Sequence, residues 1–208
     1  KGKDVAAFVG TPLVIGVRAD ARPGAPAGPM VTKVQPLQFV KMETSAGTMV
    51  MAFYYDKAPN TADNFLNLSA GGYYDGLTFH RVVKDFVIQG GDPRGDGSGG
   101  PGYQIDEEFN DRQHFPGVLS MARSRDFNSA GSQFFVCLDY SRTRHLDKQY
   151  TAFGKVVTGF EAAQKVAASP LGENDKPVTP QTITKATVVD VTADNNPYPA
   201  LVKELAAK

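Results

Sequence analysis

The chain has 208 residues, enough for one globular domain plus a tail, with sufficient apolar residues to bury a core. Its 22 basic residues balance 22 acidic ones, which excludes a global field that would draw it to nucleic acid or to an anionic membrane. One cysteine, Cys137, excludes an intrachain disulfide; within Phe134-Phe135-Val136-Cys137-Leu138 it reads as a small buried hydrophobe and leaves the redox compartment unreadable.

Residues 1–36 read as an appendage. Its apolar stretch 5–17 is interrupted by Gly10, Pro12 and Gly16 and falls short of the roughly 20 residues that a membrane span requires. Lys1 and Lys3 resemble the basic start of a signal peptide, but Asp4 interrupts them and no cleavage context follows, so a strand or hairpin is expected. A soluble protein, cytoplasmic or exported after processing, fits this start. Arg22-Pro23-Gly24-Ala25-Pro26-Ala27-Gly28-Pro29 cannot build a packed core and reads as a linker into a domain spanning 37–193.

The 14 prolines and 21 glycines lie mostly between short strand-like runs, which predicts a mainly β architecture. Runs 37–44 and 48–55 flank Ser45-Ala46-Gly47 as a hairpin. Lys57-Ala58-Pro59-Asn60 then opens a helix, with Ala62, Phe65, Leu66 and Ser69 on one face and Gly71-Gly72 at its end. Strands are predicted over 78–83, 86–89, 117–121, 133–138 and 152–157, a second helix over 160–168, and a closing β-branched strand over 182–191. The tail 194–208 is expected to carry a short helix over 199–207.

Several motifs invite chemistry that their surroundings deny. Gly95-Asp96-Gly97-Ser98-Gly99-Gly100 has the letters of a dinucleotide fingerprint, but Pro101-Gly102 forbids the helix that must follow. A flexible rim loop is expected there instead. Asp106-Glu107-Glu108 with Asp111 lacks the spacing of a calcium loop and reads as a solvated turn. His80, His114 and His145 show no zinc pattern, and no serine sits in a GxSxG elbow or is visibly paired with a histidine, which speaks against metal chemistry and hydrolysis.

Phe79-His80-Arg81-Val82-Val83 and Phe86-Val87-Ile88-Gln89-Gly90-Gly91-Asp92 place one arginine and one glutamine at strand spacing among aromatic and apolar residues. A buried cation is costly without a partner, so a functional polar wall that handles peptides is the economical explanation. The competing one is an arginine whose stem lies on apolar surface while its head reaches the rim of a barrel.

These two blocks, together with Ser120-Met121-Ala122-Arg123, Asn128-Ser129-Ala130-Gly131-Ser132-Gln133-Phe134-Phe135 and His145-Leu146-Asp147-Lys148-Gln149-Tyr150-Thr151-Ala152-Phe153-Gly154, resemble the cyclophilin family of peptidyl-prolyl cis-trans isomerases in order and spacing. The resemblance covers about residues 37–193. It implies an eight-stranded antiparallel β-barrel capped by two α-helices, a monomer without cofactor or metal, and proline-containing polypeptides as partners. Rotation about an Xaa-Pro bond has an intrinsic barrier of about 18–20 kcal/mol. It calls for an apolar slot for the ring, a grip on the flanking backbone and a donor that weakens amide resonance.

By this resemblance Arg81 is the main catalytic residue, braced by Gln89. Phe86, Val87, Phe135 and Leu146 line the proline pocket, although for each alone core packing is the commoner role. Ala122 and Arg123 offer main-chain groups, Gln133 closes the polar side, and Tyr150 stands where the family often has histidine. His145 occupies the position of the tryptophan found in cyclosporin-sensitive members, which implies weak binding of that drug. Val87 replaces a common methionine and Arg123 a common asparagine, adding a charge beside the groove. Lys148 stands where an Asp-Gly turn usually has glycine, a strain if φ there is positive. The loop between Met121 and Gly131 and His145 resemble bacterial or divergent members. The alternative to an isomerase that assists folding is a non-catalytic proline-peptide module using the same groove.

Overall fold

A computed structural model describes residues 37–206; the extension and linker expected over 1–36 lie outside the described residues. Eight strands form one sheet: β1 (Gln38–Thr44), β2 (Gly47–Phe53), β3 (Arg81–Val83), β4 (Val87–Gly90), β5 (Val118–Met121), β6 (Phe134–Cys137), β7 (Ala152–Thr158) and β8 (Ile183–Asp190). Their order is β3-β4-β6-β5-β7-β2-β1-β8. The hairpin β1–β2 sets Val40 opposite Met51 and Met42 opposite Met49, all fully buried.

The two ends of the sheet are stitched together. Thr78 bridges Thr182, the Gly76 N–H donates to the Ile183 carbonyl (2.8 Å), the Ile183 N–H to the Leu77 carbonyl (2.8 Å) and the Phe79 N–H to the Gln181 carbonyl (2.8 Å). This seam is why β3 starts three residues later than its sequence suggests: Thr78 and Phe79 use their backbone to close the barrel. Closure removes exposed strand edges.

Two helices pack on the barrel, as expected. In α1 (Pro59–Ala70) the residues Thr61, Ala62, Phe65, Leu66, Leu68 and Ser69 are buried, the i, i+3, i+4 stripe of an amphipathic helix. Phe65 lies at the centre of an aromatic cluster, 4.9 Å from Tyr74, 5.1 Å from Phe134, 5.3 Å from Phe153 and 5.7 Å from Phe53 between ring centroids. Ala58, before the helix, has no capping side chain. Glu108 takes that role: its carboxylate accepts from the Asn60 N–H (3.1 Å), the Thr61 N–H (2.7 Å) and the Thr61 hydroxyl (2.7 Å). The acidic run around Glu108 is therefore no simple solvated turn, because the positive end of α1 needs an anion. Asp111 of the same run pairs with Lys57 at 2.8 Å.

One helical turn was not foreseen. α2 (Tyr140–Thr143), capped by the Asp139 side chain accepting from the Ser141 N–H (2.8 Å), runs into a 3-10 turn at Arg144–Leu146. The other capping helix is α3 (Phe160–Ala167), which buries Ala162, Ala163 and Val166. The described residues divide into two compact units, Phe39–Val189 and residues 37–38 with 190–206. Within the second, the Val191 N–H donates to the Leu37 carbonyl (2.8 Å), the Tyr198 hydroxyl to the Gln38 carbonyl (2.7 Å), and the tail forms α4 (Tyr198–Ala206). Among the described residues no helix is long and apolar enough to cross a membrane.

Candidate active site

Strand alternation decides what faces outward. Val82, Ile88, Phe134, Val136, Leu119 and Met121 belong to the core, so their neighbours Arg81, Gln89, Phe135 and Ser120 project from the opposite face. Register then aligns these four: Arg81 pairs with Gln89, Gln89 with Phe135, and Phe135 with Ser120. The result is a row across β3, β4, β6 and β5.

Arg81, Gln89 and Phe135 of this row line a pocket of about 180 Å³ together with Phe86, Val87, Ala122, Arg123, Leu146 and Tyr150. Nine of the eleven residues singled out in the sequence thus meet at one place. Gln133 lines an adjoining pocket of about 350 Å³ that shares Gln89, Ala122 and Arg123. His145 lines neither; it is exposed and stacks flat on Phe86, with centroids 5.6 Å apart and planes at 16°. Its influence on the pocket passes through the Phe86 ring.

The polar side is a chain of hydrogen bonds. Arg81 Nη1 donates to Gln89 Oε1 over a long 3.4 Å, Gln89 Nε2 donates to Gln133 Oε1 (3.0 Å), and Gln133 Nε2 donates to the carbonyls of Gly97 (3.0 Å) and Gly99 (2.8 Å). On its other edge Arg81 Nε lies 3.8 Å from Asp175 Oδ2. The Ala122 N–H is already given to the Gln133 carbonyl (3.0 Å). The glycine-rich rim loop is tethered rather than flexible. Buried Asp92 accepts from the backbone N–H groups of Arg94 (2.8 Å), Asp96 (3.0 Å) and Gly97 (2.5 Å). Burial alone would raise the Asp92 carboxyl, but those three amides outweigh it and hold it below its ordinary range. Gly91, with φ of 84°, approaches the Ser132 carbonyl so closely that any side chain would collide with it.

Arg123 does not leave a free charge beside the groove. Its guanidinium carbon lies 4.4 Å from the Tyr150 ring centroid, 4.8 Å from Phe127 and 5.7 Å from Phe109, and it donates to the carbonyls of Ser124 (2.9 Å) and Gln149 (2.9 Å). Three aromatic faces and two carbonyls absorb the cation.

Sequence reasoning missed a buried network beneath the pocket. His114 Nδ1 is 2.9 Å from Asp147 Oδ1, and its Nε2 is 3.0 Å from Ser120 Oγ. A serine does pair with a histidine, in the spacing of a hydrolytic triad. Ser120 and His114 are both fully buried, however, and a nucleophile must reach its substrate. Burial lowers the His114 pKa against the opposing pull of Asp147, which favours the neutral ring, and the Ser120 hydroxyl donates to the Thr151 carbonyl (3.0 Å). Phe135 stacks over this imidazole at 6.2 Å and 23°. Tyr140 donates to Asp147 Oδ2 (2.9 Å) and Thr143 Oγ1 to the His114 carbonyl (2.5 Å), which fastens α2 and the turn carrying Leu146 under the pocket wall. No local motif announces this, because its members are 6 to 33 residues apart.

The structure is thus an eight-stranded antiparallel barrel with arginine, glutamine and phenylalanine aligned at one small pocket of mixed polar and apolar lining. The family model for "Cyclophilin type peptidyl-prolyl cis-trans isomerase/CLD" matches residues 39–188. The chain is 46% identical over 145 residues to a peptidyl-prolyl cis-trans isomerase of Synechococcus elongatus, covering 70% of this chain and 96% of that one. It is 41% identical over 152 residues to one of Schizosaccharomyces pombe, covering 71% and 96%. A crystal structure of a Cryptosporidium parvum cyclophilin-type isomerase in the presence of the dipeptide Ala-Pro superposes with a TM-score of 0.67 at 36% identity, covering 74% of this chain and 99% of that one. The chain belongs to the cyclophilin-type peptidyl-prolyl cis-trans isomerase family. It is an isomerase of Xaa-Pro peptide bonds, a chemistry that serves protein folding in this family generally.

Proposed function

We propose that the 180 Å³ pocket takes the proline ring of a polypeptide and that Arg81 is the catalytic group. As the Xaa-Pro bond twists, the amide loses resonance and the proline nitrogen becomes pyramidal and basic. A guanidinium held at that position stabilises the twisted state more than either planar one, which is the requirement for lowering the barrier. Its charge is permanent near neutral pH. Phe86, Val87, Phe135, Leu146 and Tyr150 fix the ring; Gln89 braces Arg81 and, with Gln133, faces the substrate backbone. The Ala122 carbonyl grips the residue before proline, while Arg123 acts through Tyr150 and the Gln149 carbonyl. The protein works as a monomer on proline-containing polypeptides, and cyclosporin binds weakly because the exposed His145 offers less surface than a tryptophan.

The observation that carries this reading is the register row that sets Arg81, Gln89 and Phe135 side by side at one pocket. The test is NMR exchange on a short Ala-Pro peptide with the wild type and Arg81→Ala side by side. The wild type accelerates exchange, and the variant loses roughly a hundredfold while still binding peptide. Turnover that survived in Arg81→Ala would remove the arginine from the mechanism. A peptide bound without acceleration by either protein would make the groove a non-catalytic recognition module.

A further inference from the structure

Arg81 has a second neighbour besides Gln89, and it comes from a part of the chain that no site motif includes. The segment Glu173–Asp175 forms a single 3-10 turn between α3 and β8 in which Asn174 (φ 57°) and Asp175 (φ 59°) are both left-handed. The turn is held at its base by the Gly172 N–H donating to the Lys176 carbonyl (2.8 Å) and the Lys176 N–H to the Glu173 carbonyl (3.2 Å). Lys176 Nζ donates to the Gly95 carbonyl (3.1 Å), tying the turn to the rim loop. In this position Asp175 Oδ2 sits 3.8 Å from Arg81 Nε.

That distance is too long for a hydrogen bond, and the two side chains are 42% and 51% exposed. Such a pair returns little to folding, less than two consecutive left-handed residues withhold from it. Glycine would relieve the backbone but could not present a carboxylate. The turn instead uses asparagine and aspartate, the side chains that best tolerate the left-handed region, and keeps an anion facing the Nε edge of the guanidinium.

We propose that Asp175 is a positioning residue for Arg81. Gln89 meets one nitrogen of the planar fork at Nη1 and Asp175 faces another at Nε, so the two restrict rotation of the guanidinium and leave its remaining N–H groups for the twisting amide. This rests on Arg81 being the catalytic group.

Asp175→Asn, Asp175→Gly, Arg81→Ala and the double variant Arg81→Ala/Asp175→Asn are compared by NMR exchange for kcat and KM and by thermal unfolding. Both Asp175 variants are expected to lose roughly two- to fivefold in kcat with KM unchanged. Asp175→Gly unfolds no earlier than the wild type, and Asp175→Asn changes nothing further once Arg81 is alanine. Loss of kcat without loss of stability is the outcome that a merely structural turn would not give. If Arg81→Ala shows its roughly hundredfold loss while Asp175→Asn keeps the wild-type kcat, the positioning role is wrong and the catalytic assignment stands. If Arg81→Ala itself retains turnover, both are wrong.

Discussion

Lys148 adopts φ of 60°, a left-handed backbone in an exposed turn between Leu146 and Tyr150. A side chain there crowds the following carbonyl, so Lys148→Gly should raise the stability of the fold by up to about 1 kcal/mol, after the greater freedom of glycine in the unfolded chain is deducted. Chemical denaturation of the two proteins checks this, and an unchanged midpoint would mean that the lysine stem recovers the strain through its contacts. At this scale the sequence was readable wherever a residue's role follows from its own strand. Arg81 and Gln89 stand out because polar groups interrupt apolar alternation. Asp175 does not stand out, since an Asn-Asp pair in a loop looks like any turn until the barrel brings it to Arg81. Arg123 was legible as a cation but not as a caged one, because Phe109, Phe127 and Tyr150 converge on it from separate loops.

Glu108 shows what elements conceal. Helix α1 begins at Pro59 behind an alanine that cannot cap it, and its N-terminal amides are satisfied by a carboxylate 48 residues away. Glu108→Ala should therefore cost about 1–2 kcal/mol, and Glu108→Gln less, since the amide oxygen keeps the acceptor and loses only the attraction of the helix dipole. Urea unfolding of both variants measures the difference; equal losses would assign the whole effect to the charge. The strands and the two capping helices were predictable from hydrophobic period and turn chemistry, with ends displaced by one to three residues. The turn α2 was not, because four residues are too few to show a helical period, and only Asp139 ahead of Ser141 hinted at a cap.

For the molecule as a whole, acid is the direction of weakness. His114 is buried neutral with its pKa lowered, so the unfolded chain binds a proton that the folded one refuses. The stabilisation is complete above the ordinary histidine value of about 6.5 and declines as pH falls below it. Asp92 is likewise lowered, by its three backbone amides against the effect of burial. Its contribution is complete above about 3.9 and fades as pH falls through the depressed folded value. Melting temperature followed from pH 8 to pH 3 should therefore fall in two successive stages, and a rise on acidification would contradict both assignments. The family and the barrel were legible because several long blocks agree in order; the seam between 76–79 and 181–183 was not, since no pattern marks backbone groups that pair across a hundred residues. That seam also bears on how the protein is made. Residues 81–150, which line the 180 Å³ pocket, leave the ribosome well before Ile183, whose strand covers the open flank of β1. Until then the nascent chain displays an unpaired strand edge, the kind of surface on which growing polypeptides stick to one another. A member of a family that serves protein folding thus itself passes through a stage with an open sheet edge.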